Sequence, residues 1–171
     1  MRATTLMKSL ILAGAATLAL SASAATTLSK GDQTILIGMA QANMAEVAAG
    51  KMALEKSSNA DVKKFAQTMV DDHSKALDSV TEVAKAKEVT LPTEPDAAHK
   101  TMAARLQKMS GDAFDKAYMK EAGVSDHSKV HAKLMKDEKA AKDADVKALA
   151  AKMLPTVAAH LETAKAAPMM K

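Results

Sequence analysis

Apolar residues recur along this chain at alternating three- and four-residue intervals, the spacing that collects them on one face of an α-helix. The first stripe runs through Ile35, Met39, Ala42, Ala49 and Ala53, and the second through Val62, Ala66, Met69, Ala76, Val80 and Val83. A third joins Phe114, Ala117, Val124 and Leu134, and a fourth joins Val146, Ala150, Met153, Val157 and Ala164. Each stripe has a potential metal ligand at a position its spacing turns inward: Glu46, His73, His127 and His160 in turn. Histidine and glutamate are seldom fully buried unless something satisfies them, so these interruptions are the first candidates for chemistry.

The stripes predict helices over residues 32–56, from 60 to the loop at Pro92 and Pro95, over 112–141 and over 143–166. A shorter helix over residues 96–109, holding Met102, Leu106 and Met109, would form part of a crossover. Breakers fall between these segments, at Gly31, at Leu91 to Pro95 and at Ser110-Gly111, and Asn59 is a good N-cap with Asp61 in the first turn. Pro155 is different, because it lies inside the last helix and cannot donate to the carbonyl of Ala151. A kink is expected there, about one turn before His160.

The sequence also repeats itself. Asn59-Ala60-Asp61-Val62-Lys63 returns as Asp143-Ala144-Asp145-Val146-Lys147, followed in both copies by a large apolar residue, an alanine and a methionine. Asp72-His73-Ser74-Lys75 returns as Asp126-His127-Ser128-Lys129. The first echo equates helices two and four, as duplicated helical hairpins would, and hairpins joined by a long crossover are the ferritin-like plan. The expected fold is therefore all-α, a ferritin-like four-helix bundle whose crossover carries a short helix between helices two and three. At about 1.5 Å rise per residue, Glu46, His73, His127 and His160 then fall at one depth.

Composition narrows the chemistry. Arg2 and Lys8 flank a basic start, residues 9–20 are apolar without charge, and Ala22-Ser23-Ala24 suits a signal peptidase. Residues 1–24 are expected to be a cleaved signal peptide too short to span a bilayer permanently, leaving residues 25–171 as a single domain with its core over about 31–166. That reading places the protein in the periplasm or beyond, with no transmembrane segment after cleavage. Removing Arg2 and Lys8 lowers the formal charge from +4 to +2, and the remaining lysines are spread among acids. With Phe65, Phe114 and Tyr118 as the only aromatics, no base-stacking platform exists and nucleic acid is not expected as a partner. The chain has no cysteine, so a lipid anchor, disulfides and thiolate ligands are excluded.

Three imidazoles and a carboxylate suit zinc, iron or copper better than magnesium or calcium. The set departs from di-iron carboxylate bundles, which use two Glu-x-x-His motifs that this chain lacks. His131 follows His127 by one turn and is read first as a half-exposed helix residue and second as sharing a metal with His127. Glu121 and Tyr118, on the same helix, could extend the site, and Tyr118 reads equally as an aromatic core residue with its hydroxyl at the rim. Asp72 and Asp126 read as surface charges or as partners for an imidazole on a neighbouring helix, and His99 carries no assigned role. The thirteen methionines include Met69, Met135, Met169 and Met170, and are read first as core filler and second as copper(I) ligands. No nucleophile constellation, phosphate loop or paired-carboxylate motif specifies a reaction.

Taken together, Ala45-Glu46-Val47, the run from Val62-Lys63-Lys64-Phe65 to Asp71-Asp72-His73, Phe114-Asp115-Lys116-Ala117-Tyr118, Asp126-His127, Leu154-Pro155 and His160-Leu161 resemble a bacterial family of exported proteins, the domain of unknown function 4142. The resemblance covers about residues 31–166. It departs at Ile35, where the family tends to have an aromatic residue, and at Gly123, where methionine is usual. It implies a ferritin-like bundle in the cell envelope and supplies no activity. The leading expectation is an exported bundle holding a transition metal through Glu46, His73, His127 and His160, for metal handling or stress protection. The alternative is a metal-free envelope interaction or stress protein whose buried cluster only sets helix register.

Overall fold

The computed structural model describes residues 28–167; the segment 1–24 expected to be a signal peptide and the tail methionines Met169 and Met170 lie outside the described residues. Every regular element among the described residues is helical: α1 Lys30–Lys56, α2 Ala60–Ala86, α3 Ala97–Gln107, α4 Gly111–Tyr118, a π-helical segment Met119–Asp126, α5 His127–Ala140 and α6 Ala144–Ala166. No helix among them is long and apolar enough to cross a membrane.

Side chains set most of the helix starts. Ser29 accepts from the Asp32 N–H at the head of α1, and Asp96 accepts from the His99 N–H at the head of α3. The echoed segments fold alike: Asn59 accepts from the N–H groups of Asp61 and Val62, and Asp143 from those of Asp145 and Val146. Beyond α2, Glu88 takes a left-handed conformation (φ 57°) and the Val89 N–H turns back to the Ala84 carbonyl at 2.8 Å, ending the helix. Pro155 sits inside α6 without ending it.

Three long-range bonds establish the direction of each helix. Lys56, at the end of α1, donates to the carbonyl of Gln107, at the end of α3. Lys87, just after α2, pairs with Asp143, just before α6, at 2.8 Å. The Lys142 N–H reaches the Asp32 carboxylate at the start of α1. Thus α1 and α6 run one way, α2 and the α4–α5 rod run the other, and the crossover containing α3 travels the full length between them. This is the ferritin-like arrangement with one long connection.

Two apolar cores fill the bundle. The lower one gathers Leu36, Met39, Val80, Leu134, Val146, Leu149 and Val157 and contains no aromatic residue. The upper one gathers Val62, Phe65, Met69, Leu106, Phe114, Tyr118 and Met119. On every long helix the break between them falls at the same level, and Asn43, Glu46, His73, His127 and His160 occupy that level, all buried. Gly50 lets α1 and α2 approach there, since a Cβ at this position would meet the Ala66 carbonyl oxygen and Val70 Cγ2 at 2.9 Å.

Candidate metal centre

Each histidine reaches the polar layer from a different helix: His73 from α2, His127 from the first turn of α5, and His160 from α6. The three ring centroids form a nearly equilateral triangle with sides of 5.5, 5.2 and 5.4 Å. One ring nitrogen from each lies within 4.8 Å of the other two.

The partners behind the rings determine which nitrogens these are. Asn43 donates its amide to the Met39 carbonyl at 2.8 Å, so its oxygen faces His73 and accepts from Nδ1–H at 2.8 Å. The Ala122 carbonyl accepts from His127 Nδ1–H at 2.8 Å. The Asp72 carboxylate accepts from His160 Nε2–H at 3.2 Å, leaving Nδ1 of that ring buried with no partner. Each ring thus keeps its one proton on the nitrogen that has an acceptor outside the triad, which leaves Nε2 of His73, Nε2 of His127 and Nδ1 of His160 with bare lone pairs. Nε2 of His73 and Nε2 of His127 stand 3.4 Å apart.

The π segment makes the His127 arrangement possible. The His127 backbone N–H bonds to the Val124 carbonyl, so the Ala122 carbonyl, five residues back, serves the imidazole. Wide turns of this kind are frequent at functional sites. Gly123 brings the segment against α6, where a Cβ would come within 3.0 Å of the Ala164 Cβ.

Burial and mutual repulsion keep the triad neutral. His73 is lowered to about 3, first by burial and then by His127 and His160. Burial also lowers His127 and His160, although the Ala122 carbonyl and Asp72 pull the other way. Burial would raise Asp72, but the hydrogen bond from His160 and the neighbouring Lys75 bring it below its ordinary range.

Glu46 shares the level but not the centre. Its Oε1 lies 3.4 Å from His127 Nδ1, the nitrogen already committed to Ala122, and neither carboxylate oxygen has a hydrogen-bond partner. Burial, and then the Asp126 carboxylate, push the Glu46 pKa well up, which favours the neutral acid behind His127. Tyr118 is fully buried in the upper core, stacked on Phe114 with centroids 6.1 Å apart, and its hydroxyl also lacks a partner. Burial and then Glu46 push the phenol well above its ordinary range.

Other expected contributors lie elsewhere. Glu121 pairs with Arg105 of the crossover helix instead of facing the interior. His131 lines a shallow hollow with Met135, Leu154 and Pro155 on the outside of the α5–α6 pair. The Glu121 departure follows from the π segment: its wider turns delay the inward face, so that Ala122 and Gly123 are buried where an unbroken α-helix would bury Glu121 and Val124. His131 lies beyond that segment and is half-buried, while His127 and Leu134 on either side of it stay buried. Asp72 and Asp126 are more than surface charges, since both hold imidazoles. Asp126 binds His99 at 3.3 Å, and His99 also contacts Asp96 at 2.9 Å, tying the crossover to the π segment. Asn43 was missed. Its signal was an asparagine, a poor helix former, amid alanines in the middle of a long helix.

A family model described as Domain of unknown function (DUF4142) matches residues 17–167. Among solved structures, one described as CopM in the Cu(II)-bound form superposes with a TM-score of 0.64 at 16% identity, covering 78% of this chain and 93% of that one. At that identity the likeness is one of fold. The search of curated proteins returns no match.

Proposed function

The chain belongs to the DUF4142 family, and from that premise we propose that it binds one transition-metal ion through Nε2 of His73, Nε2 of His127 and Nδ1 of His160. One observation carries the reading: a ring nitrogen from each of three buried imidazoles lies within 4.8 Å of the other two, and each imidazole has an acceptor outside the triad for its one proton. Lone pairs directed at one another repel, and the depressed imidazole pKa values mean that protonation does not relieve them at neutral pH. A cation does. Ligating histidines are characteristically oriented by a carbonyl or carboxylate on the other nitrogen, which is the role of Asn43, Ala122 and Asp72 here.

Three neutral imidazoles suit copper, zinc or iron. Copper comes first, because the fold neighbour is described in a Cu(II)-bound form and the chain is rich in methionine. Glu46, on the far side of His127, stands outside the ligand set. Tyr118, Glu121 and His131 stand outside it too. The work assigned to the protein is metal handling or stress protection in the cell envelope, carried out by the single bundle domain left once residues 1–24 are removed. The metal would bridge α2, α5 and α6 at mid-height and favour the folded state by mass action.

The test is elemental analysis of protein purified from the periplasm, alongside His73→Ala and His160→Ala. One metal per chain, lost in both variants, is expected. Protein that is isolated metal-free and then refuses added copper, zinc and iron would leave only the second reading, a metal-free envelope protein. That reading has one observation in its favour. The 3.4 Å approach of His73 and His127 would be a hydrogen bond if either ring gave up its outer partner.

A further inference from the structure

Two clefts lie along the α2–α6 seam, one reaching the triad from the lower core and one from the upper, and they differ in chemistry. The first, about 280 Å³, is bordered by Asp72, Lys75, Ser79 and Lys152 and reaches Asn43 and His73. Two ammonium groups stand at its mouth, Lys75 beside Asp72 at 3.4 Å and Lys152 on the Ser79 hydroxyl at 3.4 Å. At its inner end, Asn43 occupies the nitrogen of His73 that carries the proton. A cation entering here meets positive charge first and a committed N–H last.

The second cleft, about 440 Å³, opens between Asp61, Lys64, Thr68 and Thr163. Its inner wall holds Met69, Met119 and His160, all buried. Asp72, which holds Nε2 of His160, lines the other cleft and not this one, and Nδ1 of that ring has no partner. Thioethers bind copper(I) in preference to harder divalent ions. One lysine and one aspartate at the mouth leave it without net charge.

We infer that this second cleft is the route by which copper(I) reaches the centre, with Met69 and Met119 as thioether waypoints and His160 as the receiving ligand. The inference rests on the triad being a metal site and adds to it the path, the ion's oxidation state and two further residues. The ion moves by ligand exchange from sulfur to nitrogen and keeps its charge throughout, so no oxidant or reductant is consumed.

Met69→Leu/Met119→Leu conserves volume and apolarity while removing both sulfurs. Copper(I) is presented as its coloured bathocuproine complex under anaerobic conditions, and transfer is followed by loss of colour; zinc(II) uptake is measured in parallel. The double variant should load copper(I) roughly tenfold more slowly, as loss of two soft ligands along the path implies, with unchanged final stoichiometry and unchanged zinc uptake. Two surface variants ask the same question without touching the core. Lys64→Glu should accelerate copper(I) uptake at low salt and Lys152→Glu should not, because a nearby acidic group steers a cation only at the mouth it uses. Unchanged copper(I) kinetics in a folded double variant would overturn the route. So would acceleration by Lys152→Glu, or wild-type protein that takes zinc but refuses copper(I). Wild-type protein that takes neither ion removes the metal site itself, and the route with it.

Discussion

The two sides of the polar layer solve the problem of burial in opposite ways. On one side, His73, His127 and His160 each have an acceptor at their back, and what remains unpaired is a set of convergent lone pairs. On the other, Glu46 and Tyr118 are buried with no partner for any side-chain oxygen. The first side is incomplete in a way that one cation completes. The second is pushed towards its neutral forms, because burial raises both groups well above their ordinary values. Unpaired polar atoms alone do not make a metal site; what distinguishes the histidines is that their protons are already spoken for, so that only lone pairs face inward.

Acidification sets the two sides against each other most strongly. The imidazoles are held below their usual range, so the unfolded chain takes up protons that the folded chain refuses. Their contribution is complete above about pH 6.5 and is lost as the pH falls, for His73 towards about 3, at about 1.4 kcal/mol per pH unit for each ring still neutral in the fold. Urea midpoints of the metal-free protein between about pH 7 and 5 should therefore fall steadily; a flat profile would mean that the rings are protonated in place. Excess zinc should deepen the fall, since it competes with protons for the same nitrogens.

A smaller effect separates the partnered side from the unpartnered one. Asp72→Ala frees His160 to rotate and should weaken metal binding about 10- to 100-fold with stoichiometry retained. Tyr118→Phe, which removes a hydroxyl that bonds to nothing, should leave the affinity within about twofold, as loss of an unmade hydrogen bond implies. Isothermal titration with zinc measures both, and equal losses would erase the distinction between the sides.

Glu46→Gln gives the smallest change and the most specific one. Glu46 has a raised pKa in the fold, so its contribution is present below the glutamate range and is lost as the pH rises through its folded value. The glutamine variant should match wild type near pH 4.5 and become the more stable protein as the pH climbs, while keeping its metal. Metal lost in this variant would make Glu46 a ligand after all.

Much of this was legible beforehand. On α6 the apolar spacing read from the sequence is the buried face observed, because Val146, Ala150, Met153, Val157, His160 and Ala164 follow an unbroken α-helical period. On the α4–α5 rod the same reasoning lost phase at the π segment, since no local propensity announces a wide turn and its cost is recovered only by packing against α6. That shift turned Glu121 outward to Arg105. The convergence of the histidines could be read from counting rise along helices. The partners behind them could not, because a hydrogen bond between helices depends on rotation as well as depth.

Long-range ¹H–¹⁵N correlation spectra of the histidine rings test the centre most directly. Metal-free protein near pH 7 should show Nδ1–H tautomers for His73 and His127 and an Nε2–H tautomer for His160. One equivalent of zinc should then shift Nε2 of the first two and Nδ1 of the third, leaving His99 and His131 unmoved. Spectra that show the opposite tautomers, or that do not change on adding zinc, would contradict the assignment of the triad as a metal site.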